Sequence, residues 1–125
     1  MIKKLLLSTL VFVSSIAAQN INVHFSFMID GAQQNYSFVG DITTPMNKVE
    51  SFINDDFIID FLVTEHNEQN VIVNTNVYQK NDGVVSLIAQ PEFATTFNSP
   101  AIIKIGSETN GTLSFTITVS HSEEL

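Results

Sequence analysis

Gln90–Gly106, QPEFATTFNSPAIIKIG, places a proline, a threonine pair and an asparagine ahead of a run dominated by isoleucine. It reads as a bend, a tight turn and an apolar strand. Proline ends a strand that it cannot extend by hydrogen bonding. Asn98 suits the turn, and Gly106 lets the chain leave the sheet at positive φ. A fainter version of the same stretch lies at Thr43–Asn54.

The segments on either side read as strands that pair with it. Ile21, Val23, Phe25, Phe27 and Ile29 alternate with Asn22, His24, Ser26 and Met28, the period-two pattern of a half-buried strand. Asp30-Gly31 supplies a hairpin turn, and Gln33–Val39 a second strand before a polar connection, Gly40–Asn47. Lys48–Ile53 and Phe57–Val63 flank the turn Asn54-Asp55-Asp56. Pro45–Ile53 also fits a helix, with Pro45 in a first turn and Val49, Phe52 and Ile53 at helical spacing. After the polar linker Thr64–Gln69, alternation resumes at Val71–Tyr78. Asn81-Asp82-Gly83 turns the chain into Val84–Ala89, and Pro91 bends it. Ala101–Ile105 is the next strand. Asn110-Gly111 is a hairpin signal that leads into Leu113, Phe115, Ile117 and Val119.

The two halves follow one plan, which favours the strand reading of Pro45–Ile53. Thr43-Thr44 and Asn47 match Thr95-Thr96 and Asn98, and Val63-Thr64-Glu65-His66 matches Val119-Ser120-His121. The expectation is an all-β antiparallel sandwich of about eight strands, arranged as two four-strand repeats at 20–66 and 70–121. Phe25, Phe27, Phe38, Phe52, Phe57, Phe61 and Phe115 are its expected core.

The first 18 residues read as a signal peptide: basic Lys3-Lys4, an apolar run from Leu5 to Ala17, and small residues at Ser15 and Ala17 for cleavage. That run is short for a spanning helix, which needs about 20 apolar residues, and no second apolar run follows. Residues 19–125 then form one domain, expected in the periplasm or secreted by a Gram-negative bacterium. The chain has no cysteine, so no thiol chemistry and no disulfide contributes. Beyond the leader, three lysines and no arginine face 13 acidic residues, a balance of −10. Phosphate neutralisation by nucleic-acid binders needs the opposite charge, as does attachment to anionic lipid.

Leu87–Gly106, LIAQPEFATTFNSPAIIKIG, resembles a segment of the secretin β-domain, with Pro91, Thr95, Asn98, Ala101 and Gly106 in the family's order. Secretins are large, multi-subunit outer-membrane pores, and this chain lacks room for their ring domains or a full pore barrel. The resemblance therefore implies a shared envelope β-module, with no pore and no catalytic residues carried over.

No nucleophile elbow, phosphate loop, dinucleotide fingerprint or H-E-x-x-H motif is present. His66 and His121, with Glu123 nearby, are the candidate metal ligands: two imidazoles and a carboxylate suit zinc or copper. Solvated side chains in a linker and a tail are the plainer reading. Asp55, Asp56 and Asp60 read as turn residues rather than paired carboxylates, and His24 as an ordinary exposed histidine. The expected function is a non-catalytic binding or assembly module with an envelope protein as partner, no cofactor, no nucleic acid and no membrane insertion. The alternatives are a small metal or ligand carrier using His66 and His121, and a small hydrolase.

Overall fold

The computed structural model describes residues 20–31, 34–107 and 111–122. The leader expected at 1–18 and the candidate ligand Glu123 lie outside these. Nine strands follow in order: β1 (Asn20–Asp30), β2 (Asn35–Pro45), β3 (Glu50–Ile53), β4 (Phe57–Glu65), β5 (Asn70–Asn81), β6 (Val84–Ala89), β7 (Glu92–Thr96), β8 (Ala101–Ser107) and β9 (Gly111–His121). Among the described residues there is no helix, so Pro45–Ile53 is not helical and ends in the short strand β3.

The strands form two antiparallel sheets, as expected of a sandwich. One runs β2-β1-β9-β8; the other runs β3-β4-β5-β6, with β7 also on β5. The four central strands each turn alternate residues inward: Ile21, Val23, Phe25 and Phe27 from β1; Phe57, Ile59, Phe61 and Val63 from β4; Val71, Val73, Thr75 and Val77 from β5; Leu113, Phe115, Ile117 and Val119 from β9. Every one is at most 8% exposed, so period-two patterning alone sorts the core from the surface. Rings join the sheets edge to face across the interior. Phe27 meets Phe57 at 5.2 Å between centroids, and Phe93 meets Phe115 at 5.3 Å. Such contacts add to the burial of the rings themselves, which is worth about 1.5–3 kcal/mol for each fully buried side chain.

β6 and β7 lie along the same edge of β5, in the place of one interrupted strand. Tyr78 pairs with Leu87 and Val77 with Ala89, which leaves Ile88 as the extra residue of a β-bulge. Beyond Ala89 the register holds: Asn74 pairs with Glu92, and Asn70 with Thr96. Pro91 therefore does not end the pairing, contrary to the reading of the bend. An edge strand tolerates proline because its missing N–H is needed by one neighbour at most. This interruption is why nine strands are found where eight were expected.

The polar connection expected at Gly40–Asn47 is also mostly strand. β2 runs through Gly40 to Pro45, carrying Ile42 and Thr44 inward. Gly40 is there because two rings lie over it: a Cβ would stand 2.7 Å from Phe25 Cζ and 2.8 Å from Phe52 Cε1. Gly106 departs from its reading too. It pairs with Thr112 inside β8 without a positive φ, and Gly111 takes that conformation instead, at φ 90°.

Exchanging β1 for β5, β2 for β6–β7, β3 for β8 and β4 for β9 turns one sheet order into the other. The two crossings between sheets match bond for bond. Asn47 at φ 65° donates to Val63 O at 2.8 Å, and Asn98 at φ 68° donates to Val119 O at 2.7 Å. Thr44 Oγ1 donates to Lys48 O at 3.4 Å, and Thr95 Oγ1 to Ser99 O at 3.1 Å. The matching threonines are thus Thr44 and Thr95, one residue away from the alignment read in the sequence.

Candidate functional site

His66 follows β4 in an exposed turn, where its amide donates to Asn70 O at 3.0 Å. The same bond in the other half is made by Ser122, to Asn20 O at 3.2 Å. His66 therefore corresponds to Ser122 and not to His121. His121 instead pairs with Ile21 at the end of β9 and stacks on Phe97, ring centroids 4.1 Å apart and planes 22° from parallel. One histidine belongs to a turn and the other is laid flat on an aromatic face. Among the described residues, no three His, Asp or Glu side chains converge as a metal site would require.

The aspartates divide in the same way. Asn54 Oδ1 accepts from the amides of Asp56 at 2.9 Å and Phe57 at 2.8 Å, which shapes the turn and leaves Asp55 and Asp56 exposed at its tip. Asp60 lies further along β4 on the outer face, accepting from Ser51 Oγ at 2.6 Å. The three do not form a carboxylate pair. His24 lies on the outer face of the other sheet. Its Nδ1 is 2.8 Å from Asp41 Oδ1, both side chains more than half exposed. The two side chains are within hydrogen-bond distance, and Thr118 is the cross-strand neighbour of His24 on β9.

An open cleft of about 530 Å³ lies at the end of the sandwich where β4 begins and β5 ends. Tyr36, Asp55, Asp56, Lys80, Asp82 and Val85 contribute to its walls. Three carboxylates thus outnumber one ammonium. The β5–β6 turn that carries Asp82 is formed by Asp82 at φ 49° and Gly83 at φ 83°.

Beside this cleft lies a surface that residue-by-residue reading for chemistry missed. Val84, Val85, Leu87 and Ile88 of β6 are 60%, 51%, 48% and 39% exposed. On the outer face of the sheet, Leu87 continues an apolar row through its register partners: Ile53 beside Ile58, Ile58 beside Tyr78, Tyr78 beside Leu87. At the corresponding edge of the other sheet, Ile105 of β8 is exposed on the inward-facing side and Ile102 on the outer face. The opposite side of the sandwich is closed. There Phe38 of β2 stacks on Phe52 of β3, centroids 5.7 Å apart and planes within 10°. By the correspondence between the halves, Ala89 and Ile103 stand where Phe38 and Phe52 do. Both are smaller than the phenylalanines and are partly buried against the core, so no ring pair is stacked across that side. The signal was legible as an uncharged run from Val84 to Gln90 that fills a strand position at the end of a sheet.

Compared with known proteins, the chain matches no family model, no curated sequence and no solved structure.

Proposed function

We propose that this chain is a non-catalytic binding or assembly module, exported to the envelope of a Gram-negative bacterium, which accepts an extended segment of a partner protein along β6. One observation carries the reading: β6 carries apolar residues on both faces, is exposed along its length and, among the described residues, is paired to β5 alone. An edge of that kind is a template for another strand, and strand addition draws affinity from main-chain hydrogen bonds together with side-chain contacts. The leader-like first 18 residues and the secretin-like segment supply the compartment. The matched turns of the two halves support a duplicated four-strand unit, in which one copy kept a closed edge and the other an open one.

A photo-crosslinking residue at Leu87, compared with one at Ser26 on the exposed outer face of the other sheet, tests this in intact cells. The Leu87 probe is expected to capture a defined protein partner, and the Ser26 probe is not. Recovery of only free monomer from the Leu87 probe would overturn the proposal.

A further inference from the structure

The four edges of the two sheets are protected unequally. β2 carries Asp41 and ends at Pro45; β3 is four residues long and begins with Glu50; β8 carries Lys104; β7 follows Pro91 and begins with Glu92. Charges, prolines and short length are the usual means of keeping an edge from pairing. β6, Val-Val-Ser-Leu-Ile-Ala, has neither charge nor proline, and its bulge comes only at Ile88, after Leu87.

The charges lie just beyond its ends. Asp82 precedes the strand by two residues, with Asp55 and Asp56 on the wall of the same cleft, where they outnumber the ammonium of Lys80, and Glu92 follows shortly after. A second copy paired about Leu87, at the centre of the apolar run, meets this arrangement badly. In an antiparallel β6-to-β6 pairing centred on Leu87, Asp82 and Glu92 are equally far from the centre, so each acid would face an acid. Opposed like charges are unfavourable, and the whole chain is acidic as well.

We infer that the strand taken up by β6 comes from a different protein, and that it carries an apolar centre of about six residues, the length of β6, flanked by lysine or arginine at both ends. This inference rests on the reading of β6 as a strand acceptor. It adds the chemistry of the occupant: apolar side chains against Val85 and Leu87 of β6, and basic side chains against Asp82 and its neighbours at one end and Glu92 at the other.

The test uses the purified protein and two synthetic peptides with one alternating valine–threonine core, flanked by lysines in one and by glutamates in the other. Binding is followed by calorimetry and by amide hydrogen exchange. The lysine peptide is expected to bind roughly tenfold tighter or more at about 0.01 M salt, with the margin narrowing at about 0.15 M as screening grows. It should slow exchange at 84–88. Leu87→Lys, which puts a charge on an already exposed position, should abolish that protection while leaving the melting temperature unchanged. Equal binding of both peptides with slowed exchange at 84–88 would overturn the basic-flank inference and leave strand acceptance standing. Binding of neither peptide, with exchange unchanged, would overturn both. A stable dimer by sedimentation, its 84–88 amides already slow without peptide, would overturn the inference in favour of a second copy.

Discussion

The amide and the hydroxyl of Thr75 both donate to the carbonyl of Pro91, at 3.0 and 2.8 Å. Pro91 has no N–H to return, so the second main-chain bond of that cross-strand pair is absent, and the side chain of Thr75 supplies the extra bond instead. The matching position in the other half is Gly40 opposite Phe25. Each half thus places a residue that usually interrupts a strand at the same point of an edge strand, for opposite reasons. Gly40 makes room for a large ring on β1. Pro91 faces a small threonine on β5.

Thr75→Val keeps the shape and removes the hydroxyl. Thr75 is 3% exposed, but the Pro91 carbonyl keeps its amide donor. The expected cost is therefore modest, about 0.5–1.5 kcal/mol, measured by urea denaturation. A variant more stable than the parent would show that the hydroxyl bond contributes nothing.

Gly40→Ala drives a methyl group against Phe25 and Phe52. The Phe25 ring cannot easily swing aside, since Phe61 and Phe115 lie 5.1 and 5.9 Å from it. Overpacking of this kind costs about 1–3 kcal/mol. Thermal melting should show it, and an unchanged midpoint would mean that the rings give way more freely than their packing implies.

Phe115→Ala removes the ring that touches Phe25, Phe27, Phe61 and Phe93. The loss should be about 3–5 kcal/mol. Set against a whole-domain stability of about 5–15 kcal/mol, this is enough to leave much of the protein unfolded at moderate temperature, as circular dichroism would report.

Asn47→Ala and Asn98→Ala should behave as a matched pair. Each keeps a β-carbon in left-handed backbone but removes the short polar side chain that lets asparagine tolerate it, at an expected cost of about 1 kcal/mol apiece. Since the turns make the same bond to β4 and β9, the two losses should agree within experimental error. A large inequality would show that the turns are alike in geometry but not in energetics.

His24→Ala should change stability by less than about 1 kcal/mol, because its contact with Asp41 is solvent-exposed. A loss of several kcal/mol in chemical denaturation would assign that contact a weight its exposure does not explain.

The central strands were legible from the chain because their alternation is nearly unbroken. β1, β4, β5 and β9 each turn hydrophobic residues inward at every second position, the exception being Thr75. The edges were less legible, and for a definite reason. An edge strand needs partners on one side only, so it can absorb Gly40, Pro91 or the bulge at Ile88 and still remain paired. Phe93 shows the cost of that ambiguity. It is 2% exposed in the core, yet it sat in a stretch read as a bend. The repeat alignment of the histidines is off by a single residue, since His66 matches Ser122 by its main-chain bond. The exposed apolar edge was visible as composition, but only the sheet order shows that nothing within the described residues covers it.

The first and last strands lie side by side in the middle of one sheet, and Ser122 is bonded to Asn20. In topological terms the domain is a ring with one cut, and the linker between β4 and β5 is the equivalent place where it remains joined. Joining Ser122 to Asn20 by a short linker and opening the chain at 67–69 should therefore give a circular permutant with the same two sheets. The same closure delays folding: until β9 has been synthesised, β1 lacks one of its two neighbours, and neither half can complete a sheet alone. Contacts that span nearly the whole chain place the domain among slow folders, on the order of milliseconds to seconds.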